Sequence, residues 1–218
     1  MAWFQKTNHS FSAQPESKKE TFHDSSSHTS SSRGDAFRCL QQTLDRQGPQ
    51  SRGVILKLYI ENFRQLNEIF GYDYCESLLE QIISYPEQIS HSTVYRYIGV
   101  EFLIILKDYS AGQAVTLSEK ILEQFSHVWK VNGTDCLCSA QIGLCSYPGY
   151  TFSASEMMKF LDMALSQAGE MGFNQYAVYD STMQARFARK QAIAHYLQTA
   201  LDNEEIDVSY WPGYDIKE

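Results

Sequence analysis

The sequence predicts an α+β fold, a central and mostly antiparallel sheet flanked by helices, and three observations carry that prediction. Gly53 to Ile60, GVILKLYI, is a nearly continuous β-prone run, as expected of a strand covered on both faces. Val94 to Leu106, VYRYIGVEFLIIL, sets two such runs around a single glycine, Gly99, and reads as a hairpin turning at Ile98-Gly99-Val100. Between the strands lie segments whose apolar residues recur at helical spacing. The resulting order is αβααββαββαβ, which fits helices packed on a sheet.

Each element has its own signal. Asp35 to Arg46 places Phe37, Leu40 and Leu44 on one helical face, and Gly48-Pro49 ends it. Gly53 to Ile60 follows as the central strand. Asn62 to Phe70 and Tyr74 to Tyr85 read as two helical pieces broken at Gly71, with Leu78, Leu79, Ile82 and Ile83 as the buried stripe of the second. After the hairpin, Ser110 with Gln113 forms a capping-box start for a helix whose core face is Ala114, Leu117, Ile121, Phe125 and Val128. Val131 to Tyr147 holds the hairpin signal Asn132-Gly133 and then the alternating Cys138, Ala140, Ile142 and Leu144. Ser153 with Glu156 caps the next helix, which turns Met157, Leu161, Ala164, Leu165 and Ala168 inward, and Tyr176 to Tyr179 closes the sheet. A last helix, Thr182 to Asn203, puts Phe187, Ala194, Leu197 and Leu201 on one face.

Composition narrows the function. The chain has 218 residues and 43% hydrophobic content, enough for one well-buried domain with appendages. No apolar run approaches the roughly 20 residues that a bilayer span requires, which sets the expectation of a cytoplasmic chain without a membrane segment. A formal charge of −8 without any Lys/Arg cluster argues against nucleic acid or anionic membrane as a partner. Five cysteines is an odd count; Cys136, Cys138 and Cys145 lack a partner at metal-ligand spacing and read as buried reduced thiols, so no metal is expected. Residues 1–33 carry nine serines and few aliphatic residues, and read as a disordered or linker segment.

The hairpin, together with LKLYIENFRQLNEIFGYDY before it and SAQIGLCSYPGY and ALSQAGEMGFNQYAVYD after it, resembles a GGDEF domain, the diguanylate cyclase fold that joins two GTP into cyclic di-GMP. The resemblance spans roughly residues 22 to 180, with residues 34–180 as the domain, and implies a nucleotidyl-cyclase-like fold. The family's five signature letters fall on Ile98, Gly99, Val100, Glu101 and Phe102. The entry motif is altered too: Asp24 is kept, while Ser26 and Ser27 stand where Leu and Thr are usual.

The resemblance also says which chemistry to look for. Joining two GTP needs Mg²⁺ held by hard oxygen ligands. The family's two metal-binding acids fall here on Tyr59 and Val100, neither of which is a Mg²⁺ ligand. Glu61 and Glu101 are nearby acids, but Glu101 is expected to point away from Val100 along the strand. The Lys and Arg that the family sets against the triphosphate become Gly169 and Phe173, which removes charge compensation. The family's product-inhibition Arg and Asp fall on Ile89 and Ser92. Asn67 matches the base-binding Asn, and Glu76 replaces an Asp that accepts from the guanine edge, so these two are the candidate nucleotide-binding residues; each also suits a plain helix surface. Arg96, just before the turn, reads as a solvated or ion-paired surface group of the strand and not as a ligand.

Residues 181–218 resemble the connecting helix and first strand of an EAL domain, the cyclic di-GMP phosphodiesterase module, with Tyr210-Trp211-Pro212 where that strand usually ends Tyr-Gln-Pro. The expected function is therefore a degenerate GGDEF-like regulatory or dimerisation module, without catalytic residues or Mg²⁺, coupled to an EAL-like domain. A GTP-sensing module without turnover is the alternative, and an atypical active cyclase the third reading. A second copy of the chain and a guanine nucleotide are the partners left open beside the EAL-like domain.

Overall fold

A computed structural model describes residues 33–46, 51–148, 153–203 and 205. Five strands form one sheet in the order β2-β3-β1-β6-β7: β1 (Gly53–Ile60), β2 (Val94–Ile98), β3 (Glu101–Lys107), β6 (Ala140–Tyr147) and β7 (Gln175–Val178). All neighbours are antiparallel except β6 and β7, which run parallel. The strand at the centre is β1, paired along its length with Glu101–Lys107 on one side and Ala140–Tyr147 on the other. That position explains its unbroken apolar character, since side chains of both parities are buried.

Each face of the sheet has its own core. Val54, Leu56, Leu58 and Ile60 point to one side and meet α2 (Phe63–Phe70), α3 (Tyr72–Ser90) and α4 (Ala111–Phe125). Ile55, Leu103, Ile105 and Cys145 point to the other and meet α1 (Arg33–Asp45) and α5 (Ala154–Met171). Gly143 lets α5 approach β6 closely: a Cβ there would lie 2.6 Å from the Leu161 carbonyl oxygen and 2.8 Å from the Leu165 amide. Burying one such Leu or Ile contributes about 1.5–3 kcal/mol, so the two cores dominate stability.

Several predicted elements shift. In α1 the buried face is Ala36, Leu40 and Leu44, while Phe37 is exposed. Helix α3 does not stop at Tyr85 but continues through a buried Pro86 to Ser90, whose hydroxyl bonds the Pro86 carbonyl. The capping box of Ser110 and Gln113 is present, yet α4 ends at Phe125 and leaves Val128 exposed. Asn132-Gly133 does turn a hairpin, but β4 (Trp129–Val131) and β5 (Thr134–Cys136) form a separate two-stranded ribbon, so the order gains a strand. Cys138 lies past β5, buried with Cys136 in one core, and all five cysteines are free. Helix α5 begins as predicted, but Ser153 makes no side-chain cap bond; Gln41 Oε1 accepts from the Ala154 amide instead. Leu165 is half-buried. Helix α6 (Thr182–Asp202) follows β7, and Phe187, Leu197 and Leu201 on its predicted inner face are exposed. No helix of the described residues is long and apolar enough to cross a membrane. The predicted N-terminal linker and the strand from Ile206 to Tyr210 lie outside the described residues.

Candidate functional site

The hairpin turn is held by its own backbone and by one arginine. Ile98 pairs with Glu101 across it, and Gly99 takes φ 56 in open space, so the glycine answers to conformation and not to crowding. Arg96 Nε donates to the Gly99 carbonyl at 2.8 Å. Its two terminal nitrogens meet the Glu76 carboxylate at 3.0 and 3.2 Å. This two-point pairing latches the turn to α3.

Beside the turn lies a cleft of about 500 Å³, lined by Tyr59 and Ile60 at the end of β1, Asn62 to Gln65 at the start of α2, then Asn67, Gly99 and Val100. Asn62, one of the lining residues, starts α2 from a left-handed conformation. Asn67 is half-buried, and its side-chain oxygen is buried without a hydrogen-bond partner. Arg64 is a cation at the rim, directed along the helix to Glu68. The structure thus brings Asn67, Tyr59, Gly99 and Val100 together. Glu76 does not line this cleft, because Arg96 holds it.

The two acids nearest the turn both face protein donors. Glu101 points to the α1/α5 side of the sheet and pairs with Lys57 Nζ at 2.8 Å, while Val100 packs against the opposite core. Lys57 is 3% exposed at the middle of β1, and Asp162 on α5 meets its other side at 2.5 Å. The Tyr97 ring lies 5.6 Å from the same amine. Burial pulls the Lys57 pKa down, but the hydrogen bonds and charges of Asp162 and Glu101 outweigh it and hold the amine above its ordinary value. Glu61 accepts from the Ser139 hydroxyl and the Gln141 amide, each at 2.7 Å. Among the described residues, no group of three or more His, Cys, Asp or Glu is arranged to hold a metal ion.

Lys57 is the residue that the sequence reading missed. A lone lysine inside an eight-residue apolar strand requires a buried counter-charge, and that requirement is visible in the sequence. Its partners are not, because Glu101 and Asp162 lie on distant segments. At the two positions where the resemblance sets phosphate-binding cations, Gly169 packs over the Gln141 side chain and Phe173 is 71% exposed.

A family model described as "Diguanylate cyclase, GGDEF domain" matches residues 29–175. The bifunctional diguanylate cyclase/cyclic di-GMP phosphodiesterase MucR of Pseudomonas aeruginosa is 27% identical over 166 residues, covering 74% of this chain and 24% of the relative. The cyclic di-GMP phosphodiesterase PdeR of Escherichia coli is 22% identical over 160 residues, covering 72% and 24%. This chain thus spans about a quarter of the length of these relatives. Among solved structures, the GGDEF domain of YfiN (TpbB) from Pseudomonas aeruginosa superposes with TM-score 0.64 at 18% identity, covering 70% of this chain and 98% of that one. The active GGEEF domain of a diguanylate cyclase from Vibrio cholerae gives TM-score 0.63 at 20% identity, covering 70% and 99%. At such identity these structures speak for the fold, and the family match over two thirds of the sequence says the rest: the chain belongs to the GGDEF family.

Proposed function

We propose that this GGDEF domain does not turn over GTP and serves as a regulatory, dimerising module of a cyclic di-GMP signalling protein, coupled in the longer polypeptide to an EAL-like domain. The observation that carries the reading is the Lys57 amine against Glu101. With Tyr59 and Val100 in the metal-binding positions that the resemblance assigns, Glu101 is the acid left in the signature. Its carboxylate is already neutralised by an ammonium group 2.8 Å away, and a divalent cation brought to it would meet that positive charge. Glu61, the other nearby acid, spends both oxygens on Ser139 and Gln141. Glu61 thus has both oxygens engaged, and Glu101 has one of its oxygens held against an ammonium group, a poor setting for the hard oxygen ligands of Mg²⁺. The coupling to an EAL-like domain draws support from relatives named as cyclic di-GMP phosphodiesterases, which extend far beyond the matched region.

A second reading, guanine-nucleotide sensing without turnover, is favoured by one observation: Asn67 lines a cleft of about 500 Å³ beside the turn. Glu76 then takes part only after leaving Arg96. Calorimetric titration with GTP, with and without Mg²⁺, followed by assay for cyclic di-GMP, separates the readings. The expected outcome is no product. Metal-independent heat that disappears in Asn67→Ala establishes the sensor, whereas formation of cyclic di-GMP refutes the loss of turnover.

A further inference from the structure

The cleft beside the hairpin turn sets an unspent amide among uncharged walls. Tyr59, Ile60, Phe63 and Val100 supply apolar and aromatic surface, and Asn67 stands among them. Asn67 Oδ1 is buried with no hydrogen-bond partner among the described residues. A buried polar atom left unpaired calls for a partner, and this one borders a space that a small molecule can enter.

The cations around the cleft are all engaged elsewhere. Arg64 is the single charged residue of the lining; its side chain is 93% exposed and pairs with Glu68 at 3.1 Å. Arg96 spends Nε on the Gly99 carbonyl and both terminal nitrogens on Glu76. Lys57 is buried between Glu101 and Asp162. Phosphate groups are held by several converging charged donors, and the cleft has none that converge.

We propose that the cleft takes an uncharged planar heterocycle of nucleoside size, and that phosphate groups add nothing to its binding. The inference rests on the sensing reading, whose ligand class it names, and departs from it in placing the nucleoside level with GTP. The volume of about 500 Å³ suits such a ligand. Aromatic and aliphatic walls receive the ring, and an N–H on the ring edge supplies the donor that Asn67 Oδ1 lacks.

Calorimetric titration of the 218-residue chain with guanosine, GMP and GTP, without metal and at low and high salt, tests this. The three dissociation constants are expected to agree within about threefold and to be insensitive to salt. Asn67→Ala is expected to weaken all three by about tenfold or more with unchanged circular dichroism, whereas Asn67→Asp, which keeps the acceptor oxygen, retains guanosine. Affinity that climbs about tenfold or more from guanosine to GTP, and falls with salt, overturns the inference while leaving the sensing reading intact. Absence of heat with all three ligands overturns both. Guanosine binding that survives Asn67→Ala, or that Asn67→Asp abolishes, overturns the assignment of the Asn67 oxygen as the acceptor and the inference with it.

Discussion

Helices α5 and α6 lie in succession, separated by one strand, and are similar in length, 18 and 21 residues, yet the domain treats them oppositely. Helix α5 buries Ala154, Met157, Met158, Phe160, Leu161, Ala164 and Ala168, approaches the sheet through Gly143, and sends Asp162 to the Lys57 amine. Helix α6 buries Met183 and is otherwise tied by ion pairs at Arg186 and Lys190. Both sequences are rich in apolar residues. A helix in this fold is thus defined less by its composition than by whether a partner surface lies beneath it, and Phe187, Leu197 and Leu201 of α6 have no such surface among the described residues.

The most damaging test of that contrast is Leu161→Ala. Leu161 is fully buried between α5 and the sheet, and the surrounding backbone at Gly143 leaves little freedom to collapse. Loss of the transfer energy and creation of a cavity cost about 2–5 kcal/mol. A urea unfolding series is expected to show the midpoint falling sharply with the slope unchanged. A small shift would mean that α5 is held mainly by its charges.

Glu101→Gln probes those charges and is expected to cost less, about 1–3 kcal/mol. The amide keeps a weaker acceptor near Lys57, and Asp162 still faces the amine, although it is 56% exposed and screened by solvent. The sign of the pH dependence follows from Lys57, whose folded pKa is raised. Its linked stability is fully present below the unfolded value of about 10.4 and is lost as pH rises through the higher folded value. The wild type is thus expected to lose this contribution only in strongly alkaline solution. If Glu101→Gln leaves stability unchanged, the retained signature acid does not hold the hairpin to α5, and the case for Lys57 blocking a metal there weakens with it.

These tests also mark what was legible in advance. Gly53–Ile60 could be bounded to the residue because a strand buried on both faces is apolar at every step but one. The start of α4 was equally plain, since Ser110 and Gln113 satisfy each other within four residues. Local chemistry reads out of local sequence. The site does not, because its decisive contacts join residues 57, 101 and 162 in one case and 76 and 96 in the other. Pro86 failed for the opposite reason: a local rule ends helices before proline, but the buried ring and the Ser90 bond belong to tertiary packing. The exposure of Phe187, Leu197 and Leu201 was invisible to periodicity, which reports that a face exists and not what covers it.

The smallest expected effect sharpens the comparison from the other side. Tyr196 on α6 is 73% exposed. Tyr196→Ala is expected to change stability by less than about 0.5 kcal/mol, the usual range for surface substitutions. Thermal melts run beside those of Leu161→Ala read the contrast directly. A loss comparable to that of Leu161→Ala would mean that α6 rests on a partner surface of the domain, and the contrast between the two helices would fail.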